Sequence, residues 1–133
     1  MVCLNLCESL NNIDVSKFNT QNVTNMSFMF YECKKLKNIN LFYFRTEKVN
    51  EMKYMFYNCK ALHDIDLSNF NTLNVTDMSY MFYGCNNLKH LNLLNFNIKN
   101  NVNSNQIFEG CKSLKKSKII IKDKNTLKLL KKN

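Results

Sequence analysis

The segment DMSYMFYGC, at residues 77–85, combines methionines, aromatic residues and a cysteine, and closely similar segments recur as NMSFMFYEC at 25–33 and EMKYMFYNC at 51–59. The spacing between the copies is constant. Five cysteines recur at an interval of 26, namely Cys7, Cys33, Cys59, Cys85 and Cys111, and Phe18, Phe44, Phe70 and Phe96 keep the same interval. A fixed interval of this size predicts a solenoid, in which each copy is too small to bury its own apolar face and packs on its neighbours.

The composition is that of one ordinary domain. The chain has 133 residues, of which 45% are hydrophobic, so a disordered or collagen-like protein is excluded. No apolar run is long enough to cross a bilayer, and the first residues, MVCLNLCESL, lack the basic flank and sustained apolar core of a secretion signal. We therefore expect neither a transmembrane segment nor a signal peptide.

The net charge of +9 is unevenly placed. Residues 112–133 contain nine lysines and one acidic residue, Asp123, so the remaining chain is nearly neutral. A basic tail of this kind is typical of a solvated end, and the neutral repeat body disfavours nucleic acid as its partner. Within the tail, the segment KDKNTLKLLKKN at 122–133 places leucines among lysines, which predicts a basic cap over the last copy.

Each copy contains two different spacings of apolar residues. In the first half, Val75, Met78, Met81 and Phe82 lie three, three and one residues apart, and Cys85 follows three residues later. This spacing places all five on one face of a short helical or 3₁₀-like segment. The sulfur atoms and rings are therefore predicted to face inward.

The second half of each copy predicts a short strand. Leu88, Leu91 and Leu93 repeat the pattern of Leu62, Ile65 and Leu67, and equivalent strands would pair as a parallel sheet. The intervening side chains would point outward in two columns. One column contains Asn12, Asn38, Asp64, His90 and Lys116, and the other contains Asp14, Asn40, Asp66, Asn92 and Lys118.

The residue types that perform chemistry do not form a catalytic pattern. Only His63 and His90 could act as general bases, and the repeat places no nucleophile beside either one. The cysteines occupy one inward position per copy, which favours free buried thiols over disulfides. Cys3 and Cys7 lack the second ligand pair of a zinc site. We therefore predict no enzyme activity, no catalytic residue, no metal and no cofactor.

The segment LSNFNTLNVTDMSYMFYGCNNLKHLNL at 67–93 closely resembles the BspA-like leucine-rich repeat of bacterial surface proteins and lipoproteins, and the resemblance covers residues 1 to about 121. It implies an α/β fold, a leucine-rich-repeat solenoid of about four to five turns with parallel strands on one face and short helical segments on the other. It also implies a role in adhesion or protein contact at the cell surface. The fourth copy departs from the pattern, with Asn101 and Ser104 in place of Val and Met.

Two hypotheses of function follow. The first is a non-enzymatic module that binds a protein, such as a host or cell-surface protein, or a glycan, through the outward face of the sheet; its partner-binding residues are Asn38, Asn40, Asp64, Asp66, His90 and Asn92. The second is a binder of nucleic acid or anionic membrane, in which the lysines of the tail make the contacts and residues 1–121 are a scaffold.

Overall fold

The computed structural model describes residues 9–99, 101–122 and 128. Its named elements are the strands β1 (Asp64–Asp66), β2 (His90–Leu93) and β3 (Ile119–Ile121) and a single 3₁₀ turn, Lys116–Lys118. The strands form one parallel sheet in the order β1-β2-β3. We name the copies after their cysteines: the Cys33 copy (23–48), the Cys59 copy (49–74), the Cys85 copy (75–100) and the Cys111 copy (101–121).

The predicted α/β solenoid with helical segments is wrong. Residues 9–99 and 101–122 contain no α-helix, and their regular structure is limited to three short strands and one 3₁₀ turn. In the half of each copy that was predicted to be helical, two positions four residues apart have positive φ. In the Cys59 copy these are Tyr54 (59°) and Asn58 (55°), and in the Cys85 copy they are Tyr80 (58°) and Gly84 (71°). A left-handed residue interrupts a right-handed helix, so this half consists of consecutive turns.

Backbone hydrogen bonds explain why these turns are stable. Some N–H groups remain within the copy, as when Met55 donates to the carbonyl of Met52 at 3.3 Å. Others cross to the next copy, as when Met52 donates to Asp77 at 2.8 Å and Phe56 donates to Met81 at 2.8 Å. An α-helix would use all of these donors internally. The copies therefore stack in parallel through turns as well as through strands, and isolated parallel bridges join residues 25, 51, 77 and 103.

The core contains the inward residues that the sequence predicts. Met78, Met81, Phe82 and Cys85 are fully buried, as are their equivalents in the Cys59 copy. Phe44, Phe70 and Phe96, which recur at the repeat interval, are also buried, whereas Phe18 at the equivalent position is half-buried and packs against the core. One continuous column of stacked rings passes through the centre: Phe30, Phe56, Phe82 and Phe108 have centroids 5.3, 5.5 and 5.7 Å apart.

The last strand lies two residues out of the predicted register. Asp64 pairs with His90, at an interval of 26, whereas Leu91 pairs with Ile119, at an interval of 28. The 3₁₀ turn Lys116–Lys118 precedes β3 and accommodates the two extra residues. Lys118 therefore follows His90 in the first outward column, Ile120 follows Asn92 in the second, and the predicted places of Lys116 and Lys118 are wrong.

Candidate interaction surface

The outer face of the sheet brings together all six predicted partner-binding residues. Three consecutive copies contribute two residues each, and all six line one shallow depression of about 670 Å³: Asn38, Asn40, Asp64, Asp66, His90 and Asn92. β1 alternates an exposed Asp64, a buried Ile65 and an exposed Asp66, which is the pleat of a strand with one face in the core. The depression continues onto Lys118, the last residue of the 3₁₀ turn, and Ile120 of β3.

The first column, Asn38, Asp64, His90 and Lys118, carries side chains of four different types. Asp64 and His90 lie opposite each other on paired strands and form a hydrogen bond between Oδ1 and Nδ1. Both side chains are more than half exposed. This pair offers a carboxylate and an imidazole that solvent and a ligand can both reach.

The second column has a structural role in addition to its exposure. The side-chain oxygen of Asn40 accepts the N–H of Phe42 at 3.0 Å, and Asp66 accepts that of Ser68 at 2.8 Å. Asn92 repeats the same turn in the Cys85 copy. Partial desolvation opposes the ionisation of Asp66, but hydrogen bonds from Ser68 and Asn92 outweigh it, so the pKa of Asp66 lies below its ordinary value. The second-column side chains therefore support the turn that follows each strand position, and the hydrogen bonds to Asp66 favour its ionised form.

The rim of the depression is partly apolar. Phe42 is 70% exposed and Ile120 is 55% exposed, and both line the depression. Leu94, which follows β2, is 41% exposed. The depression therefore offers hydrogen-bonding groups and exposed apolar area side by side, and protein interfaces use both.

Sequence reasoning missed two ladders of aromatic rings in the turn half of the copies. Phe28, Tyr54 and Tyr80 stack at centroid distances of 5.0 and 4.9 Å, and Tyr31, Tyr57 and Tyr83 stack at 5.1 and 5.0 Å. All six residues are half-buried. Desolvation and neighbouring tyrosines raise the pKa of Tyr54 and Tyr57. The recurrence of tyrosine at 54 and 80 and at 31, 57 and 83 was the signal in the sequence.

The cysteines in the described residues form no disulfide bond: Cys33, Cys59 and Cys85 are buried in the core, and Cys111 is partly buried against it. The sulfur of Cys85 donates to the carbonyl of Phe56 at 3.1 Å, and that of Cys111 donates to Phe82 at 3.1 Å. Burial raises the pKa of Cys85, and it raises the pKa of Cys111 to about 12. A buried, protonated thiol is a poor nucleophile, so these positions act as structural residues.

Three further observations concern what the described part of the chain contains. Within it, no group of three or more His, Cys, Asp or Glu side chains lies close enough together to hold a metal ion. A helix long and apolar enough to cross a membrane is also not found among those residues. The predicted cap at 122–133 lies outside the described residues except for Lys122 and Lys128, and so do Cys3 and Cys7.

The described residues therefore show copies of one short repeat joined by parallel pairing, a core that contains a column of rings, and an outer sheet face with polar, charged and exposed apolar side chains. The chain matches the family model described as Mycoplasma protein of unknown function, DUF285, over residues 3–121, and it belongs to that family. The comparison with curated proteins gives no match, and neither does the comparison with solved structures.

Proposed function

We propose that this chain is a non-enzymatic module that binds an extended segment of another protein along the outer face of its sheet. One observation carries the proposal: side chains from three consecutive copies converge on a single depression of about 670 Å³. The resemblance to BspA-like surface repeats makes a cell-surface or host protein the partner that we favour.

The framework of the sheet supports this role, because backbone pairing and buried inward residues form it without the side chains of the first outward column. The backbone of β1 pairs with β2 along its whole length, and the inward residues Ile65 and Leu91 are buried. The exposed positions of the first column can therefore change from copy to copy without altering the fold. The different polar side chains along the first column can then each contact a different residue of an extended protein segment.

The experiment uses random linear peptides displayed on phage and selected against the intact protein. Selected peptides are synthesised, and their Kd is measured by calorimetry for the wild type and for the double variant D64N/H90N. This variant places at both positions the residue type that Asn38 already provides in the same column, so the fold is expected to be retained. We expect binding to weaken by about tenfold, which corresponds to about 1.4 kcal/mol, because the proposal places this pair among the few residues that dominate the binding energy.

Two controls complete the design. Asp66→Asn keeps the oxygen that accepts the N–H of Ser68 and removes only the charge, so it tests charge without disturbing the turn. Tyr83→Phe removes a hydroxyl from the turn half of the copy, and we expect no change in Kd. Peptides that bind D64N/H90N as tightly as the wild type would show that the sheet face is not the binding surface.

A further inference from the structure

One turn departs from the repeat in a way that folding does not explain. After the strand position, the Cys59 copy reads LSNFNT at 67–72, whereas the Cys33 copy reads LFYFRT at 41–46. The inward residues are equivalent in the two turns, and Leu41, Phe44 and Thr46 are buried. The three differences are all outward: Phe42 is 70% exposed, Tyr43 is 61% exposed, and Arg45 is exposed.

At position 43 the tyrosine replaces an asparagine that makes hydrogen bonds in the Cys59 and Cys85 copies. The amide of Asn69 donates to the carbonyl oxygens of Leu41, Phe42 and Phe44, at 3.1 Å each. Asn95 donates in the same way to Ser68. Tyr43, at the equivalent position, makes no hydrogen bond to any described residue through its side chain, and its ring contacts only Phe42 among the described rings, at 5.2 Å.

At position 45 the arginine replaces an asparagine whose side-chain oxygen accepts a backbone N–H of the turn in other copies. Asn71 accepts the N–H of Leu73 at 3.0 Å, and Asn19 accepts the N–H of Gln21 at 3.1 Å. Such bonds stabilise turns. Arg45 has no acceptor with which to repeat them, while its backbone N–H still donates to Thr20, as in the other copies. Arg45 is the only arginine in the chain.

The residues gained are those that protein interfaces use most. Tyrosine and arginine are enriched among the residues that dominate binding energy, and a solvent-exposed aromatic pair contributes contact area at low entropic cost. The turn also separates two depressions: Phe42 lines the sheet-face depression, and Tyr43 and Arg45 line a second one of about 550 Å³. The charged groups of the second depression are Arg45, Lys48 and Glu47, so its net charge is positive.

We propose that Phe42, Tyr43 and Arg45, which we call the Cys33-copy turn, are the anchor for an extended protein segment that presents a carboxylate beside apolar side chains. This inference rests on the proposed function, since it names the chemistry of the partner that the sheet face binds. Arg45 pairs with the carboxylate, where its guanidinium can donate two parallel hydrogen bonds. Phe42 and Tyr43 pack against the apolar side chains beside that carboxylate, and the peptide continues across the sheet face.

The test compares the wild type with the triple variant F42S/Y43N/R45N, which gives the Cys33 copy the turn of the Cys59 copy. Because the new side chains are those that support the turn elsewhere in the chain, we expect the Tm to remain the same or rise. We expect the Kd of the selected peptides to increase by about a hundredfold, as for the loss of two or more hot-spot residues. The selected peptides should carry Asp or Glu next to aliphatic or aromatic residues.

The possible outcomes separate this proposal from the general one. If D64N/H90N weakens binding and the triple variant does not, the sheet face remains the binding surface and the anchor is overturned. If neither variant weakens binding, both proposals fall. Selected peptides without acidic residues would overturn the chemistry assigned to Arg45. If ultracentrifugation shows that the wild type dimerises and the triple variant does not, the occupant is a second copy of the chain, which also overturns the proposed partner.

Discussion

Replacing Phe56 by alanine tests whether the stacked copies share one continuous core. Phe56 is fully buried, and its ring lies between Phe30 at 5.3 Å and Phe82 at 5.5 Å. Truncating a buried phenylalanine costs about 3–5 kcal/mol. The loss of two stacked neighbours, each contributing about 0.5–1.5 kcal/mol, places this site near the upper end. Against a total stability of about 5–15 kcal/mol, Phe56→Ala is expected to leave the fold marginal.

The assay is urea unfolding followed by far-UV circular dichroism, with two matched substitutions of the same residue type. Phe42→Ala, at a side chain that is 70% exposed, is expected to change the unfolding free energy by less than about 0.5 kcal/mol. Phe108→Ala should give an intermediate loss, because Phe108 stacks on only one ring within the described residues. Equal losses for Phe56→Ala and Phe42→Ala would refute a ring column as the centre of the core.

Three further predictions concern backbone support and buried thiols. Thr72→Val removes the hydroxyl that accepts the N–H of Asn97 at 2.8 Å and donates to its carbonyl. We expect the unfolding free energy to fall by about 1–3 kcal/mol and the amide of Asn97 to exchange its hydrogen faster. Unchanged exchange at Asn97 would contradict this prediction. Gly84→Ala should lower the unfolding free energy by at least about 1–2 kcal/mol in urea unfolding. The reason is that φ is +71° and a Cβ would lie 2.1 Å from a side-chain oxygen of the preceding copy. An unchanged unfolding free energy would contradict the left-handed turn. The pKa of Cys111 is raised from 9.0 to about 12, so the contribution of its protonated thiol to the unfolding free energy is complete below pH 9 and falls as the pH rises towards 12, by up to about 1.4 kcal/mol per pH unit. The difference in unfolding free energy between the wild type and Cys111→Ala should therefore become smaller above pH 9. A difference that stays constant with pH would disprove this coupling between thiol ionisation and stability.

The repeat interval and the identity of the core could be predicted from the sequence, but the local backbone could not. Met78, Met81 and Cys85 lie three or four residues apart, and this spacing places side chains on one side both in a helix and in a series of turns with bonds from residue i to i−3. Periodicity alone does not distinguish the two. The distinguishing signal is the position before the cysteine, where Glu32, Asn58, Gly84 and Gly110 all have positive φ. Three of these four are glycine or asparagine, the residues that adopt a positive φ most readily.

The register of β3 could not be read from a constant interval. Cys111 and Leu114 still keep the regular spacing, and both make the same backbone turn as their equivalents in the Cys85 copy. The two extra residues enter between Leu114 and Ile119, in a lysine-rich segment without an apolar residue to mark the change. Counting from the core therefore placed Lys118 in the second outward column instead of the first, and Ile120 was not recognised as part of the outer face.

The candidate site was predicted where the repeat is regular and missed where it is irregular. Alternation along a strand, together with a fixed interval, was sufficient to place Asp64, His90 and their neighbours on one face. Aligning the copies by their shared letters drew attention away from Phe42 and Tyr43, which differ from the consensus. Their exposure, and the hydrogen bonds that Asn69 and Asn95 make instead, became evident only from the structure.

Variation between the copies of this one chain indicates which outward residues the fold constrains. The second column is Asn40, Asp66 and Asn92, and each of these accepts the N–H two residues later, so only side chains with a carbonyl or carboxylate oxygen at that distance are suitable. The side chains of the first column do not accept such an N–H, and their residue type changes from asparagine to aspartate, histidine and lysine. Positions that change freely on a fixed backbone are available for recognition, whereas positions that repeat are held by the turn. The Cys33-copy turn goes one step further than the first column, because there the chain gives up hydrogen bonds that support folding in favour of exposed aromatic and cationic groups, and a loss of stability of this kind is expected where a surface binds a partner.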